Sequence, residues 1–446
     1  MGIAFLGCSS GAPGADGNNE QNPPSEEAKQ PNFIIIVADD MGYADISCFG
    51  NTVINTPVLD KMAADGIRLA DYHSNSAVST PTRCALLTGR YQQRAGLQDV
   101  LLEANAAHKL QGLQPEEVTF AKILGQNGYK TAMFGKWHLG DLPKYSPVVH
   151  GFQTYQGFHA GNVDYFAYLT NQGEYDWYRQ ETLERDDKGY LTDEINERTV
   201  RFIEDNADSP FCIYVAHGCP HSPFQGPNAT PYRTEGSKQT KEPAGTDREL
   251  QYKEMIEQMD TGIGWILDKL EEEGLTDNTF VVFVSDNGPA EVGSTGGMRG
   301  SKGSLFEGGH RVPGIIRMPD VIKAGQVSSV PVMSMDFFPT MIELAGIDYD
   351  DSAKPLDGVS LVPLMKTGKM ADRTLFWRFR NVRAAREGDM KYIEGEGVPP
   401  SLYDLSADRD ETTNLYNANK SYANTLRVKL DAWEKSVDSE TPQQTR

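Results

Sequence analysis

Phe33-Ile34-Ile35-Ile36-Val37-Ala38-Asp39-Asp40 (FIIIVADD) decides the fold. The apolar run is too short for a helix and rich in β-branched residues. Such a run reads as a strand buried on both faces. It stops abruptly at two carboxylates, which a core cannot hold unpaired. Working outward, Lys130–Phe134 (KTAMF) is a weaker strand, and Phe211–Ala216 (FCIYVA) and Thr279–Ser285 (TFVVFVS) are strong ones. Helix-like segments lie between them: Pro57–Gly66, Pro115–Asn127, Asp193–Asn206 and Glu249–Glu273. This alternation predicts an α/β fold with a mostly parallel sheet sandwiched by helices.

The pattern changes after Met365. Leu375–Arg380, Arg383–Arg386, Lys391–Glu394 and Ser401–Leu405 read as short antiparallel strands, and Tyr422–Ser436 as a closing amphipathic helix. The expected organisation is an export segment and tether over 1–31, a catalytic domain over 32–365 and a smaller C-terminal α+β subdomain over 366–446.

The 446 residues carry a formal net charge of −21. That surplus disfavours nucleic acid and membrane surfaces as partners, so an anionic substrate must meet a local cluster of Lys, Arg and His. No apolar run reaches the roughly 18 residues that span a bilayer. The five cysteines include no zinc-ligand pair and imply no disulfide framework; a Cys212–Cys219 bridge is disfavoured. Met1–Cys8 (MGIAFLGC) resembles the tail of a bacterial lipoprotein signal but lacks a basic start and a full apolar core. Either the start is truncated or the likeness is chance. Ser9–Gln30, rich in Gly, Pro, Asn and Glu, reads as a tether. Together they suit an exported periplasmic or cell-surface protein with a lipid anchor at Cys8.

Ligands of open α/β sheets bind beyond the carboxyl ends of the strands. There the sequence places Asp39-Asp40, Gly135-Lys136-Trp137-His138, His217 with His221, and Asp286-Asn287. Asp39, Asp40, Asp286 and Asn287 are hard oxygen donors suited to Ca²⁺ or Mg²⁺. Either acidic pair alone could equally cap a helix; two pairs at strand ends favour the metal. Ser79-Thr80-Pro81-Thr82-Arg83 reads as a helix start with Ser79 at the N-cap, an anion-friendly position with a guanidinium one turn on. An ordinary capping serine with a surface arginine fits that spacing as well.

Ser79-x-Pro81-x-Arg83 with Thr88-Gly89-Arg90 behind it resembles the motif of the formylglycine-dependent (type I) sulfatases. ADDMGYAD (Ala38–Asp45), GKWHLG (Gly135–Gly140), PHSP (Pro220–Pro223), SDNG (Ser285–Gly288), GSKGSLFEGGHRVP (Gly300–Pro313) and LYDLSADRDETTNL (Leu402–Leu415) follow in family order. The resemblance implies an alkaline-phosphatase-like fold and sulfate-ester hydrolysis. It implies Ca²⁺, with Mg²⁺ the lesser alternative, on Asp39, Asp40, Asp286 and Asn287. Ser79 would be oxidised by a maturase to formylglycine, whose hydrate attacks sulfur. Arg83 and Lys136 would hold that hydrate, His138 would act as base, and His221 and Lys302 would flank the sulfate and the leaving oxygen. Taken singly, His138 reads as a loop histidine and Lys302 as a solvated lysine.

Many family members carry Cys where this chain has Ser79. By the same resemblance, serine is a recognised alternative where the host has a matching anaerobic maturase and is also the usual inactivating replacement, so a sulfated-glycan-binding protein without catalysis is a competing expectation. A phosphate or phosphonate monoester hydrolase is another. The leading expectation is a sulfatase acting on a sulfated poly- or oligosaccharide, with a pocket for one terminal sugar. His217 fits a structural part, and Ser74 and Ser76 read as loop serines. His159, Asn162, Asp164 and Arg299 could shape subsites or serve the fold. The loops Leu102–Leu113, Gly157–Arg185 and Pro223–Glu249 are expected to set the sugar.

Overall fold

The FIIIVA run forms the strand Asn32–Ala38 inside a ten-stranded sheet. This computed structural model describes residues 29–102, 104–185, 189–350 and 352–442, with 1, 2 and 7. Cys8 and almost all of the tether lie outside the described residues. Pro31–Arg446 forms one compact unit.

Asn32–Ala38 pairs in parallel with Phe211–Ala216 on one side and Thr279–Ser285 on the other. Lys130–Lys136 continues the parallel set beyond Phe211–Ala216, followed by Thr154–Phe158. The register aligns Val37 with Ala216, Ala38 with Ser285 and Gly135 with Ala216, so the strands end at one edge. Gly314–Arg317 pairs antiparallel with Thr279–Ser285, which makes the sheet mixed.

Alternation along the central strand feeds two cores. Phe33, Ile35 and Val37 pack on one face, and Ile34, Ile36 and Ala38 on the other. Both faces are covered, which is why the run shows no polar alternation. On the second face, Arg248–Glu272 packs against Leu191–Asp205. Asp260 of the long helix accepts from Val58 N–H at 3.1 Å and Leu59 N–H at 2.8 Å, capping the Pro57–Ala64 helix from outside.

The helix expected over Pro115–Asn127 forms only over Phe120–Gln126. Thr119 starts it, accepting from Lys122 N–H at 3.2 Å, and so leaves residues 115–118 outside. Cys212 and Cys219 are free thiols. No described helix is long and apolar enough to cross a membrane.

After Met365, Thr374–Phe379, Val382–Glu387, Met390–Gly395 and Val398–Asp404 form a sequential antiparallel sheet. Leu426, Leu430 and Trp433 of the Lys420–Glu440 helix join Trp377, Ile393 and Leu402 in a third core. That core includes Ala77, Val78 and Leu305, so the C-terminal sheet presses against the start of the Ser79–Thr88 helix.

Two stability outcomes follow from this packing. Ile35→Ala opens a cavity in the fully buried central strand and should cost about 2–5 kcal/mol in urea unfolding. His150 is buried against Trp137, and burial pushes its imidazole down to about 3. The unfolded chain takes up that proton near pH 6.5 and the folded chain does not. Stability present above pH 6.5 should therefore fall toward pH 3, with His150 contributing about 1.4 kcal/mol per pH unit. A His150→Gln variant with an undiminished slope between pH 6 and 4 would contradict this.

Candidate active site

Asp39 and Asp40 follow the central strand, and Asp286 and Asn287 follow its neighbour. Neither pair caps a helix. Carboxylate oxygens of Asp39, Asp40 and Asp286 lie within 4.8 Å of one another, and all three residues are buried. Asp40 N–H donates to Asp286 Oδ1 at 3.2 Å, and Asn287 Nδ2 donates to Asp40 Oδ1 at 2.7 Å. Asp40 sits at φ 62°, a left-handed conformation that costs a non-glycine residue about 1–3 kcal/mol. That turn brings the second carboxylate back to the first.

Three cations face the three carboxylates. Arg83 donates to Asp286 Oδ2 from Nε at 2.9 Å, and its Nη2 lies 2.8 Å from the same oxygen. Lys136 Nζ reaches Asp39 Oδ2 at 2.6 Å, and Lys302 Nζ reaches the Asp40 carboxylate at 2.7 Å. Burial pushes the Asp39 carboxyl up, but Lys136, His221 and Arg83 together hold it below the usual range. Burial acts on Asp40 the same way, and Lys302 and His221 outweigh it. Lys136 is drawn below its ordinary value by burial, despite Asp39.

Lys136 reaches this position through Gly135. Gly135 has φ 106°, and a Cβ there would lie 2.0 Å from the Ala216 carbonyl oxygen, so only glycine fits.

Ser79 Oγ lies 3.2 Å from Asp39 Oδ1, 3.3 Å from Asn287 Oδ1 and 3.5 Å from Lys136 Nζ. The N-cap expected at Ser79 is Val78 instead; Ser79 is the first helical residue. Its side chain therefore turns to the carboxylates and leaves the helix end uncapped. Thr80 Oγ1 donates to the His138 carbonyl at 3.1 Å, tying the helix to the adjoining loop.

His138 also has a positive φ, 56°. Its Nε2 lies 2.9 Å from the Leu101 carbonyl, which can only accept. Nε2 therefore carries the proton and Nδ1 the lone pair, and Nδ1 has no partner among the described residues. Burial, then Lys136, drives its basicity well below the ordinary histidine value. His221 Nδ1 lies 2.7 Å from the Ser222 carbonyl, leaving Nε2 to face Asp40 Oδ2 at 3.5 Å.

Of the ten residues expected as metal ligands or catalytic groups, nine are joined by direct contacts at one edge of the sheet, and His138 follows Lys136 there with its carbonyl bonded to Thr80. Sequence reasoning passed over Tyr214, whose hydroxyl accepts from Arg83 Nη1 at 3.2 Å. A tyrosine inside a doubly buried strand needs a polar partner, and that signal was available. His217 is buried, and neither ring nitrogen has a partner among the described residues. Asp164 accepts backbone bonds from Phe166, Ala167, Tyr232 and Arg233 and is structural. Asn162 is held by Arg233, and Arg299 bonds the Glu411 carbonyl and stacks on Phe306. Ser74 and Ser76 belong to the loop that Thr82 closes.

The metal-ligating groups that converge here are the carboxylates of Asp39, Asp40 and Asp286 with the Asn287 amide oxygen, and no thiolate joins them among the described residues. This donor set fits a hard divalent cation and not a soft one. His73, Glu307 and His310 also converge, with Lys391 Nζ 2.8 Å from Glu307 and 3.1 Å from His310, but that group offers one carboxylate and two imidazoles and does not suit a hard cation as well as the acidic cluster does.

A mostly parallel sheet with this site at its carboxyl edge, followed by a small antiparallel sheet and helix, is the alkaline-phosphatase-like architecture. Residues 31–347 match the sulfatase family, and residues 301–436 match the family described as N-sulphoglucosamine sulphohydrolase, C-terminal. The chain belongs to the sulfatase family and is a sulfuric ester hydrolase. It is 33% identical to N-acetylgalactosamine-6-sulfatase of Mus musculus, over 78% of this chain and 68% of that one. It is 31% identical to arylsulfatase A of Homo sapiens, over 87% and 84%. The crystal structure of Ps i-CgsB in complex with k-i-k-neocarrahexaose superposes with a TM-score of 0.83 at 28% identity, over 93% and 94%.

Arg83→Met would leave Asp39 and Asp286 buried with a counter-charge missing. We expect about 3–5 kcal/mol of destabilisation in urea unfolding without added divalent cation. A loss under 1 kcal/mol would show that this cation does not balance the cluster.

Proposed function

We propose that the chain hydrolyses sulfate esters of a sulfated carbohydrate with a nucleophile derived from Ser79, assisted by Ca²⁺. The observation that carries this reading is the position of Ser79 Oγ among Asp39, Asn287 and Lys136. An unmodified N-terminal helix serine has no need of such neighbours.

Asp39, Asp40, Asp286 and Asn287 would hold the cation, which acidifies a nearby hydroxyl and draws charge from sulfuryl oxygens. Formylglycine at position 79, made by a maturase, would supply a hydrated aldehyde whose two hydroxyls permit both attack and release. Lys136, whose Nζ is 3.5 Å from Ser79 Oγ, would orient position 79, and Arg83 would hold Asp39 and Asp286 in place around it. His138 accepts a proton at Nδ1, the nitrogen its Leu101 contact leaves bare. His221 Nε2 and Lys302 Nζ both lie against the Asp40 carboxylate, at 3.5 and 2.7 Å, and would serve the leaving oxygen. The three cations balance the three carboxylates, so a bound dication leaves the site positive. That local excess draws an anionic ester into a chain of net charge −21.

Carbohydrate is favoured because the mouse relative is an N-acetylgalactosamine-6-sulfatase and the solved neighbour holds a neocarrahexaose. Such substrates suit an exported protein, which agrees with the lipoprotein-like Met1–Cys8.

Modification, turnover and cation binding each test this reading. Peptide mass spectrometry after expression with a serine-competent maturase should show Ser79 lighter by two hydrogens, with sulfate released from a sulfated sugar. Aryl sulfate should turn over well ahead of aryl phosphate. Binding of sulfated glycan with an unmodified Ser79 and no release would favour the non-catalytic alternative. Ca²⁺ at a hundredfold excess over its Kd should stabilise the protein by about 2.7 kcal/mol. Asp40→Asn should abolish that gain; a full gain in the variant would remove Asp40 from the cation site.

A further inference from the structure

Lys302 stands in a loop that leaves the fold at Arg299 and returns at Glu307 and Gly308. Gly300 and Gly303 on either side of it both take φ 84°, a region that glycine enters freely. Such a backbone has many other conformations, so the position of the ammonium depends on what grips the loop. From beneath, Lys302 N–H donates to the Pro289 carbonyl at 2.9 Å and Gly303 N–H to the Ala77 carbonyl at 2.8 Å.

The two legs are gripped by one residue of the C-terminal subdomain. On the outgoing leg, the Glu411 carbonyl accepts from Arg299 Nη1 at 3.2 Å. On the returning leg, Glu411 Oε2 accepts from the Glu307 N–H at 2.6 Å. The legs close on each other where Gly308 N–H donates to the Arg299 carbonyl at 2.8 Å. Glu411 therefore holds the loop on both sides of its closing bond.

Glu411 is itself fixed. It is fully buried, with φ 55°. Asp408 closes the turn around it, accepting from Thr412 N–H at 2.9 Å and Thr413 N–H at 2.7 Å. Lys391 Nζ lies 2.9 Å from Glu411 Oε1 and 2.8 Å from Glu307 Oε1, so one ammonium orients both carboxylates. Burial raises the Glu411 carboxyl to about 7, with Lys391 opposing and Glu307 adding to the rise. An uncharged side chain of the same shape is therefore acceptable at this position.

We propose that Glu411 is a positioning residue: its grip on both legs of the loop fixes Lys302 Nζ against Asp40 and so sets how well that ammonium serves the leaving oxygen. The inference rests on the leaving-oxygen part given to Lys302. Misplacing a reacting group by about 1 Å can cost on the order of a hundredfold in rate, which makes a remote grip of this kind visible in turnover.

The test joins hydrogen exchange of the full chain to turnover by the matured enzyme on 4-nitrophenyl sulfate and phenyl sulfate. The two esters are similar in shape, but phenoxide is the more basic leaving group and gains more from a donated proton. Glu411→Ala removes the bond to Glu307. It should speed exchange over residues 299–306 by about tenfold or more and leave the central strand Asn32–Ala38 unchanged. Its kcat should fall about tenfold further on phenyl sulfate than on 4-nitrophenyl sulfate, the same direction as for Lys302→Ala. Glu411→Gln keeps an acceptor for the Glu307 N–H and should stay near wild type in both measurements. Undiminished protection of 299–306 in Glu411→Ala overturns the proposal, whether or not an ester is turned over. So does protection lost throughout the central strand, or a Glu411→Gln loss as large as that of Glu411→Ala. A Glu411→Ala loss equal on the two esters, where Lys302→Ala separates them, overturns it as well. Equal losses in Lys302→Ala would overturn the leaving-oxygen reading itself, with exchange still deciding the grip. Turnover of neither ester by the matured wild type would overturn the sulfatase mechanism.

Discussion

The structure depends on one electrostatic constraint: three carboxylates crowd within 4.8 Å in a buried place. Like charges so close in a poorly solvated site repel by several kcal/mol unless countered. Arg83, Lys136 and Lys302 each come from a different segment and each meets a different carboxylate. The sheet edge, the Ser79 helix and the Gly-rich loop before Glu307 are thus locked to one another by charge. A divalent cation would convert this balanced cluster into an anion receptor without any rearrangement of sign elsewhere.

A second buried ionic network supports the first. Arg386 and Lys391 of the C-terminal sheet pair with Asp71 and with Glu307 and Glu411. Trp377 Nε1 donates to the Ser74 carbonyl at 3.0 Å, a few residues before Ser79. The small sheet is therefore part of the support of the nucleophile loop. Its third core, which includes Ala77, Val78 and Leu305, places apolar pressure behind both Ser79 and Lys302. Buried ion pairs of this kind contribute positioning more than stability.

Much of the fold was legible in the sequence. Three core strands were plain because both their faces are buried, which leaves uninterrupted apolar runs; Lys130–Lys136 was weaker because Lys130, Thr131 and Gly135 break its run. Thr154–Phe158 (TYQGF) was missed because its Gln and Gly break that signal. Gly314–Arg317 and the short edge strands were missed because so few residues carry no periodicity. The helix before Gly128 was overextended because a polar, Pro-led segment resembles a helix start until Thr119 is seen to cap it.

The sequence by itself determined that acidic, basic and imidazole groups sit at strand ends, because each follows a run that must be a buried strand. It determined the family through motifs in fixed order. Only the tertiary structure decided that Ser79 opens its helix without capping it, that Nδ1 of His138 is the bare nitrogen, that the His159 ring is stacked between Tyr155 and Tyr178, and that Glu411 bonds both legs of the loop carrying Lys302. Those facts depend on backbone dihedrals and on partners distant in sequence, which no local pattern of residue types encodes.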